Sequence, residues 1–553
     1  MRRSLVLSLP IFAAGFCFGA YFPLTESPDA VIIEGRDYTN RIASSDREWK
    51  SDGQSLRLSH KQDGTVAVLL DSPSRPVETV RIFWRASISP EALVLTDDWS
   101  GLGWAKLDAQ RDSAWYFLLN ESGSTHGYGV KTQPNAMAYW RVRPSEVELS
   151  LDVSAGGEGV KLGTRTLEVC RLLSRAGRSG ESAFAAGRAF CRALCPNPRL
   201  PAEPVFGYND WYCAYGANTA TNFLEDAAYI VEMAKGLSVR PYVVMDDGWQ
   251  PMSPPEVQRR TGKFDSGWGP WERESDGFGM AMCDFASRIA ALGAKPGLWY
   301  RPLRAWDGAA AELKVHGHPE CFDPTIDANL KRIREEMRRF RAWGFKLVKA
   351  DFLAYDVIGQ FLFPGKVGAH VMADRRCWRD ASRTTAERLK EVYRTMREGA
   401  GDDMVIIGCG AFGHLAAGFF EINRVGFDTS GKEWERTARN GPHALAMRSI
   451  QHGTFYCVDA DCVGLASAGA IEWEKNRQWM DLLARSKTAF FVSWRRSLAS
   501  PEVRRAMAEA FRVAAWPGDV AEPLDWQEER SPRHWRFSDG SMACYDWFSP
   551  VSR

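Results

Sequence analysis

The chain of 553 residues is long enough for two or three domains with a large hydrophobic core. Its 70 Lys and Arg residues balance 69 Asp and Glu residues, which excludes the basic footprint expected for binding to nucleic acid or to an acidic membrane surface. The 22 Trp residues instead suggest aromatic platforms of the kind on which sugar rings stack.

The first twenty residues bear on the location of the protein. Arg2 and Arg3, followed by an apolar run, are similar to the start of a signal peptide, but Pro10 interrupts the run and Phe18 is large for a position just before a cleavage site. The 12 Cys lack the regular spacing of a disulfide framework, which favours a reducing compartment. We predict a cytoplasmic protein, with a secreted or periplasmic one as the alternative if residues 1–20 are a signal peptide.

The first part of the chain has the pattern of an antiparallel β-sandwich. From about Ala30 to Cys170, short runs of alternating apolar and polar residues are separated by Gly, Ser, Asp and Pro. A helix is predicted over residues 182–194, and the Pro-rich segment 195–201 then marks a domain boundary. We therefore place the first domain at residues 1–195.

Beyond the boundary, strands alternate with helices. About eight strand–helix units fit between residues 203 and 500, which is the number and length of a (β/α)8 TIM barrel, and an open doubly wound sheet is the alternative. After a helix over 501–515, the remaining tryptophans and polar turns predict a small β-rich cap over 515–553. The predicted fold class is therefore α/β, with an N-terminal antiparallel β-sandwich, a barrel and a small C-terminal β-rich domain. The predicted strand segments of the barrel are 205–211, 242–249, 296–301, 346–352, 404–409, 419–424, 454–459 and 489–494.

The end of the fourth of these strands carries a candidate catalytic pair, Lys349 and Asp351. Side chains alternate along a strand with a period of two, so both point to one side at the carboxyl end, where α/β barrels carry their active sites. A cation beside a carboxylate favours its ionised form, which a nucleophile needs.

Polar and aromatic residues gather at the other strand ends as well. A ring of carboxylates, cations and tryptophans around one mouth is costly to maintain unless a polar ligand fills it. The predicted ring comprises Asp210, Trp211, Asp246, Asp247, Trp249, Trp299, Arg301, Lys349, Asp351, Cys409, Arg424, Asp428, Asp459 and Asp461.

Five motifs of this region resemble those of the melibiase-type α-galactosidases (glycoside hydrolase clan D), and more narrowly those of glycoside hydrolase family thirty-six. The resemblance covers residues 203–500, and the order of sandwich, barrel and cap agrees with it. The motifs are Tyr-Asn-Asp-Trp-Tyr at 208–212, Asp-Asp-Gly-Trp at 246–249, Gly-Leu-Trp at 297–299, Lys-Ala-Asp-Phe at 349–352 and Arg-Val-Gly-Phe-Asp at 424–428.

The resemblance implies a retaining α-glycoside hydrolase, an α-galactosidase above all, with no cofactor and no metal. Asp351 matches the nucleophile and Asp428 the general acid/base. Retention requires two carboxylates about 5–5.5 Å apart with pKa values held apart. The implied substrate-binding residues are Asp246 and Asp247 for the hydroxyls on the far side of the sugar, Lys349 for another hydroxyl, Arg424 and Cys409 near the 2-position, and Trp211 and Trp299 along the ring.

Two residues depart from the family pattern. Phe427 precedes the acid/base candidate where a polar residue is expected, and it could raise the pKa of Asp428 by excluding water. Asp210 stands where relatives carry a small neutral residue, and an extra acid in the sugar pocket points toward an amino sugar or a changed hydroxyl pattern.

Two other motifs suggest rival sites. Residues 408–413 fit the G-x-G-x-x-G pattern of a dinucleotide-binding turn, but only residues 414–418 separate them from the next strand, too few for the crossover helix. His316, His318 and Glu320 could bind a metal, but their strict alternation does not suit tetrahedral coordination, and a polar loop is the preferred interpretation.

Within the enzyme class the alternatives are a transglycosylase of the raffinose-synthase kind and an α-N-acetylgalactosaminidase or galactosaminidase. Outside it, the alternative is a degenerate barrel that only binds sugar. The predicted partner is a small carbohydrate, an α-galactoside, and the sequence leaves a homo-oligomer open.

Overall fold

The computed structural model describes residues 21–22, 24, 26–43, 48–97, 103–251, 269–360, 371–372, 374–465 and 470–548. The signal-peptide question concerns residues 1–20, which lie outside this range. No helix of the described part is long and apolar enough to span a bilayer. All eleven cysteines in that part are free thiols.

The N-terminal part forms the predicted antiparallel sandwich, with inward-facing Val, Leu, Ile and Trp side chains between two sheets. In spatial order, the described strands of the first sheet are Tyr38–Ala43, Ala30–Gly35, Thr79–Arg85, Glu146–Asp152, Met137–Arg143 and Arg111–Ala114. Those of the second are Glu48–Ser51, Gln54–His60, Val66–Asp71, Leu167–Arg175, Ser124–Val130, Tyr116–Glu121, Leu93–Thr96 and Gly103–Lys106.

Eight parallel strands then close into a barrel, which confirms the predicted fold class. The open-sheet alternative is wrong, because the first strand pairs with the eighth through Gly207 and Phe491. Closure leaves no edge strand, and the fourth strand is buried throughout, as parallel strands covered by helices are. The barrel strands are Phe206–Asn209, Tyr242–Met245, Lys295–Tyr300, Leu347–Ala350, Val405–Gly408, Ile422–Arg424, Cys457–Leu465 and Ala489–Trp494.

Amphipathic helices cover the barrel and turn their apolar faces toward its strands. The described α-helices are Ala183–Leu194, Trp211–Ala214, Ala220–Met233, Met282–Leu292, Asp327–Ala342, Tyr355–Ile358, Thr385–Ala400, Gly413–Ala416, Trp434–Ala438, Ala444–Arg448, Trp473–Arg485 and Pro501–Ala514, with a π-helical turn at Arg439–His443. A three-stranded antiparallel sheet near the C-terminus consists of Glu522–Pro523, His534–Arg536 and Met542–Cys544.

The sandwich contacts the barrel on the side of its carboxyl-end loops. Arg448 Nε donates to Asp97 Oδ1 over 2.6 Å, and Gln451 Nε2 donates to Asp97 Oδ2 over 3.1 Å. The ring of His414, after the fifth strand, stacks on Trp115 with centroids 4.9 Å apart. The sandwich therefore fixes two loops that border the mouth of the barrel.

Candidate active site

A cavity of about 730 Å³ opens at the carboxyl ends of the barrel strands. All nine residues proposed from the sequence as catalytic or substrate-binding line it. They come from strand ends that are distant in sequence and that only barrel closure brings together. The nine are Trp211, Asp246, Asp247, Trp299, Lys349, Asp351, Cys409, Arg424 and Asp428.

Asp351 directly follows the fourth strand, and its carboxylate is held from two sides. Trp299 Nε1 donates to Oδ2 over 3.1 Å, and the Phe352 backbone N–H donates to Oδ1 over 2.7 Å. Phe352 has a φ of 57°, in the left-handed region that residues other than glycine rarely adopt. The Arg301 guanidinium, buried against Asp356, lies 3.9 Å from the centroid of the Phe352 ring. The strained backbone of Phe352, held in place by this contact, fixes the direction of the Asp351 carboxylate, and strain of this kind is common at active sites.

Gly410 lies against this carboxylate and explains part of the glycine-rich run after the fifth strand. Its φ is +60°, and a Cβ there would lie 3.3 Å from the Phe352 backbone nitrogen and 3.4 Å from Asp351 Oδ1. The helix that follows has only four residues, so the run lacks the crossover helix of a dinucleotide-binding unit. The glycine accommodates this positive φ, and a side chain there would press on the backbone that positions Asp351.

We expect Gly410→Ala to lower kcat/KM by about 10–100-fold. The added methyl group would shift the Asp351 carboxylate by up to about 1 Å, and a reacting group displaced by that much is misaligned with the substrate. Gly540→Ala is the matched control, since Gly540 also has positive φ but nothing lies within 4 Å of its Cβ position. The measurement is steady-state kinetics of both variants on an aryl α-galactoside. Wild-type kcat/KM in Gly410→Ala would contradict the positioning role.

Lys349 makes its ion pair with Asp246 instead of Asp351. Its Nζ donates to Asp246 Oδ2 over 2.7 Å, and Asn209 Nδ2 donates to the same oxygen, also over 2.7 Å. Burial would lower the pKa of Lys349, but the charge of Asp246 outweighs it and holds that pKa well above its usual value. The direct contact of Lys349 is thus with the second strand, but the charge of Asp351 also raises the pKa of Lys349, so the attraction between these two side chains that the sequence suggested is present.

Asp247, beside Asp246, is also buried. Its Oδ1 accepts from Gln250 Nε2 over 2.5 Å, and its backbone N–H donates to Asp246 Oδ1 over 3.0 Å. These contacts fix two neighbouring carboxylates in the inner wall of the cavity. Paired acceptors of this kind suit adjacent sugar hydroxyls.

Asp210 lies behind this wall and is not among the residues that line the cavity. Its Oδ1 accepts the Asp246 backbone N–H over 2.7 Å, and Asn218 Nδ2 donates to its Oδ2 over 3.2 Å. Burial, reinforced by the charge of Asp246, raises the pKa of Asp210 to about 8. The expectation of an extra acid inside the sugar pocket is wrong: the side chain turns inward and keeps its proton at neutral pH.

This pKa predicts a pH-dependent stability. An aspartate in the unfolded chain ionises at about pH 4, so between there and about pH 8 the folded protein holds a proton that the unfolded chain has lost. Stability therefore falls as pH rises across this window. We expect Asp210→Asn to remove the loss, so that its Tm advantage over wild type grows by several degrees toward pH 8.

Thermal denaturation of Asp210→Asn and wild type across this pH range checks the expectation. The exposed Asp307→Asn serves as the control and should show no such trend. A Tm difference between Asp210→Asn and wild type that does not change with pH would show that Asp210 is ionised throughout.

Arg424 organises the opposite wall. Its Nη2 donates to Asp461 Oδ2 over 2.6 Å and to Asp428 Oδ1 over 3.0 Å. Burial would raise the pKa of Asp461, but Arg424 and Lys349, the Tyr212 hydroxyl and the Thr429 backbone N–H together lower it. Asp461, which does not line the cavity, is thus a buried anion that anchors Arg424.

Asp428 differs from Asp461 although both contact Arg424. Its side chain keeps 47% of its surface accessible, and the protein packed around the carboxyl group partly desolvates it. This desolvation raises its pKa, and Arg424 opposes the shift without cancelling it. Phe427 also lines the cavity and is 37% exposed. A carboxyl group with a raised pKa can hold a proton for a leaving group.

Cys409 lies between the two walls. Its thiol is within 3.8 Å of Arg424 Nη1, and burial raises its pKa well above the usual value, so it stays a neutral thiol. Three other residues of the predicted ring, Trp249, Arg301 and Asp459, do not line the cavity. Arg301 instead pairs with Asp356 over 2.6 Å.

Sequence reasoning missed the outer wall of the cavity. These residues come from the segment after the sixth strand and from the C-terminal part of the chain, where no strand-end motif indicates them. They are Arg436, Arg439, Asn440, His443, Arg448 and Arg530.

The rival metal motif forms a short hairpin of Lys314–Val315 and His318–Phe322. His318 Nδ1 lies 3.4 Å from Glu320 Oε1 and 3.6 Å from Asp374 Oδ2. Among the described residues, no group of three or more His, Cys, Asp or Glu side chains has the arrangement of a metal site.

The chain is similar in fold to solved structures of α-galactosidases. The α-galactosidase TtGalA of Thermus thermophilus, solved with p-nitrophenyl α-D-galactopyranoside, is 17% identical, with a TM-score of 0.58 over 89% of this chain and 97% of that one. The GH36 α-galactosidase AgaA of Geobacillus stearothermophilus is 11% identical, with a TM-score of 0.55 over 88% of this chain and 71% of that one. The chain therefore shares the fold of these enzymes, as the motifs predicted.

The same fold also carries another specificity. A cycloalternan-degrading enzyme of Trueperella pyogenes is 13% identical, with a TM-score of 0.51 over 93% of this chain and 87% of that one. No protein-family model matches the sequence, and no curated protein matches it. The sugar must therefore be argued from the site.

Proposed function

We propose that the protein is a retaining α-glycoside hydrolase, and specifically an α-galactosidase or a close relative that acts on a galacto-configured sugar. The observation that carries this proposal is that Asp351 and Asp428 line one sugar-sized cavity although 77 residues separate them along the chain. The five motifs support the galacto configuration. The α-galactosidase activity of the structural neighbours agrees with it.

In the first step, a carboxylate oxygen of Asp351 attacks the anomeric carbon as the bond to the leaving group breaks. Asp428 gives its proton to the departing glycosidic oxygen, and the sugar becomes an ester of Asp351. In the second step, Asp428 as carboxylate takes a proton from water, the hydroxide attacks the anomeric carbon, and Asp351 is released. Two inversions give net retention.

The environments of the two aspartates suit these different roles. Asp351 is fixed by the N–H groups of Trp299 and Phe352, one to each of its two oxygens, which holds the carboxyl group in a single direction. Asp428 has a raised pKa because it is desolvated, and can therefore start the cycle protonated. Asp246 and Asp247 would bind hydroxyls, and Lys349 would hold the side chain of Asp246 in position for this.

A panel of aryl α- and β-glycosides tests the proposal, with galacto-, gluco- and N-acetylgalactosamine-configured sugars, each with and without an acceptor sugar. We expect release of aryl alcohol from the α-galactoside above all. Growth of oligosaccharide in place of free sugar would indicate a transglycosylase, and preference for the N-acetylated sugar an α-N-acetylgalactosaminidase. Binding without release from any member would indicate a sugar-binding barrel and contradict the proposal.

A further inference from the structure

The outer wall of the cavity is rich in positive charge. Arg436, Arg439 and Arg530 all line it, and the described lining there contains a single carboxylate, that of Asp428. Arg439 lies on the π-helical turn after the sixth strand, whereas Arg530 lies 91 residues later, in the C-terminal part. Two arginines from distant parts of the chain therefore line one cavity.

Intramolecular ion pairs do not explain this convergence. Arg436 is engaged, since its Nε donates to the Asp428 carbonyl over 3.0 Å. Within the part of the chain that the structure describes, the guanidinium groups of Arg439 and Arg530 contact no hydrogen-bond acceptor and no carboxylate, and both residues are exposed. Arg448, which lines the same cavity, has such a partner in Asp97.

The position of this wall relates it to the leaving group. Asn440 Nδ2 donates to the Asp428 carbonyl over 2.7 Å, so the segment that carries Arg436 and Arg439 packs directly on the acid/base candidate. A general acid must reach the glycosidic oxygen, and the residues around it on the side away from the sugar contact the leaving group. The inner wall, with Asp246 and Asp247, lies on the sugar side.

From this we infer that the natural substrate carries an anionic group, such as a carboxylate, sulfate or phosphate, on its leaving-group side, and that Arg439 and Arg530 bind it. The inference rests on the proposed function and adds the class of leaving group to it. Arginine presents a planar fork of N–H donors that matches such oxyanions. A neutral leaving group would leave both cations in the cavity without a counter-charge.

The test compares two aryl α-galactosides that differ only in a ring substituent, a carboxylate in one and its neutral carboxamide in the other. The measured quantity is kcat/KM for the carboxylate divided by kcat/KM for the carboxamide. Because the same two substrates are used with every enzyme, a change in this ratio does not depend on the intrinsic reactivity of their leaving groups. We expect the ratio to fall about 10-fold in Arg439→Ala/Arg530→Ala, since each partly exposed charge pair contributes a few-fold. Arg439→Lys/Arg530→Lys should recover part of the preference.

The matched control is Arg192→Ala/Arg505→Ala, which removes the same charge at exposed positions outside the cavity and should leave the ratio at its wild-type value. In the wild type, added salt should weaken turnover of the carboxylate more than that of the carboxamide, which tests the inference even if the double variant does not fold. Equal salt dependence, or an unchanged ratio in a variant that still cleaves the carboxamide, would overturn the inference. Cleavage of neither glycoside by the wild type would overturn the proposed function, and the inference with it.

Discussion

Asp351→Ala is expected to lower kcat/KM on aryl α-galactosides by about 10⁴-fold or more, because it removes the atom that forms the covalent intermediate. The variant should still fold, since Asp351 lies at a strand end and its partners are one indole and one backbone N–H. Circular dichroism and the Tm would verify this. Full activity in Asp351→Ala would contradict the proposed double displacement through Asp351.

Azide provides a second readout for the same variant. The missing carboxylate leaves room for a small anion on the face opposite the leaving group, so azide should restore turnover and give the β-galactosyl azide. Azide should have no such effect on the wild type, in which Asp351 occupies that position. The exposed Asp307→Ala is the control and should behave as the wild type.

Asp428→Ala should affect substrates according to their leaving groups. On a methyl α-galactoside, whose alkoxide must be protonated as it leaves, we expect kcat/KM to fall by about 10²–10⁴-fold. On a dinitrophenyl α-galactoside, whose phenolate leaves without a proton, we expect a far smaller loss. Equal loss on both substrates would contradict the acid role.

The pH dependence follows from the raised pKa of Asp428. As pH rises through that pKa the acid loses its proton, so the kcat/KM of the wild type on the methyl galactoside should fall on the alkaline side. In Asp428→Ala the residual kcat/KM on the same methyl galactoside should lack this alkaline limb. Because Arg424 also binds Asp461, its position should survive the substitution, and the Tm of the variant is the check.

The parts of the fold that depend on local pattern were predictable from the sequence. Buried parallel strands are continuous apolar runs, and their ends carried the motifs that placed Asp351 and Asp428 at one mouth. The helix before the fifth strand begins at Thr385. Thr384 and Glu387 form a capping box there, a signal that was present in the sequence.

Long-range pairing was not predictable. Lys349 pairs with Asp246, 103 residues away, because both face the barrel interior from different strands, and no spacing rule encodes that choice. The inward direction of Asp210 also depends on a long-range contact, because its side chain accepts the backbone N–H of Asp246 at the end of the next strand. Arg530 reaches the cavity only through the packing of the C-terminal part, so no motif near the strand ends could indicate it.

Covalent trapping tests most directly whether Asp351 and Asp428 act as a nucleophile and an acid. A galactosyl fluoride with a second fluorine on the ring forms the glycosyl-enzyme faster than water can release it, and peptide mass mapping then locates the sugar. We predict one added sugar on the peptide that contains Asp351, with the label absent from Asp351→Ala. A sugar on another residue, or rapid turnover of ordinary galactosides with an inverted first product and no trapped ester, would contradict the account.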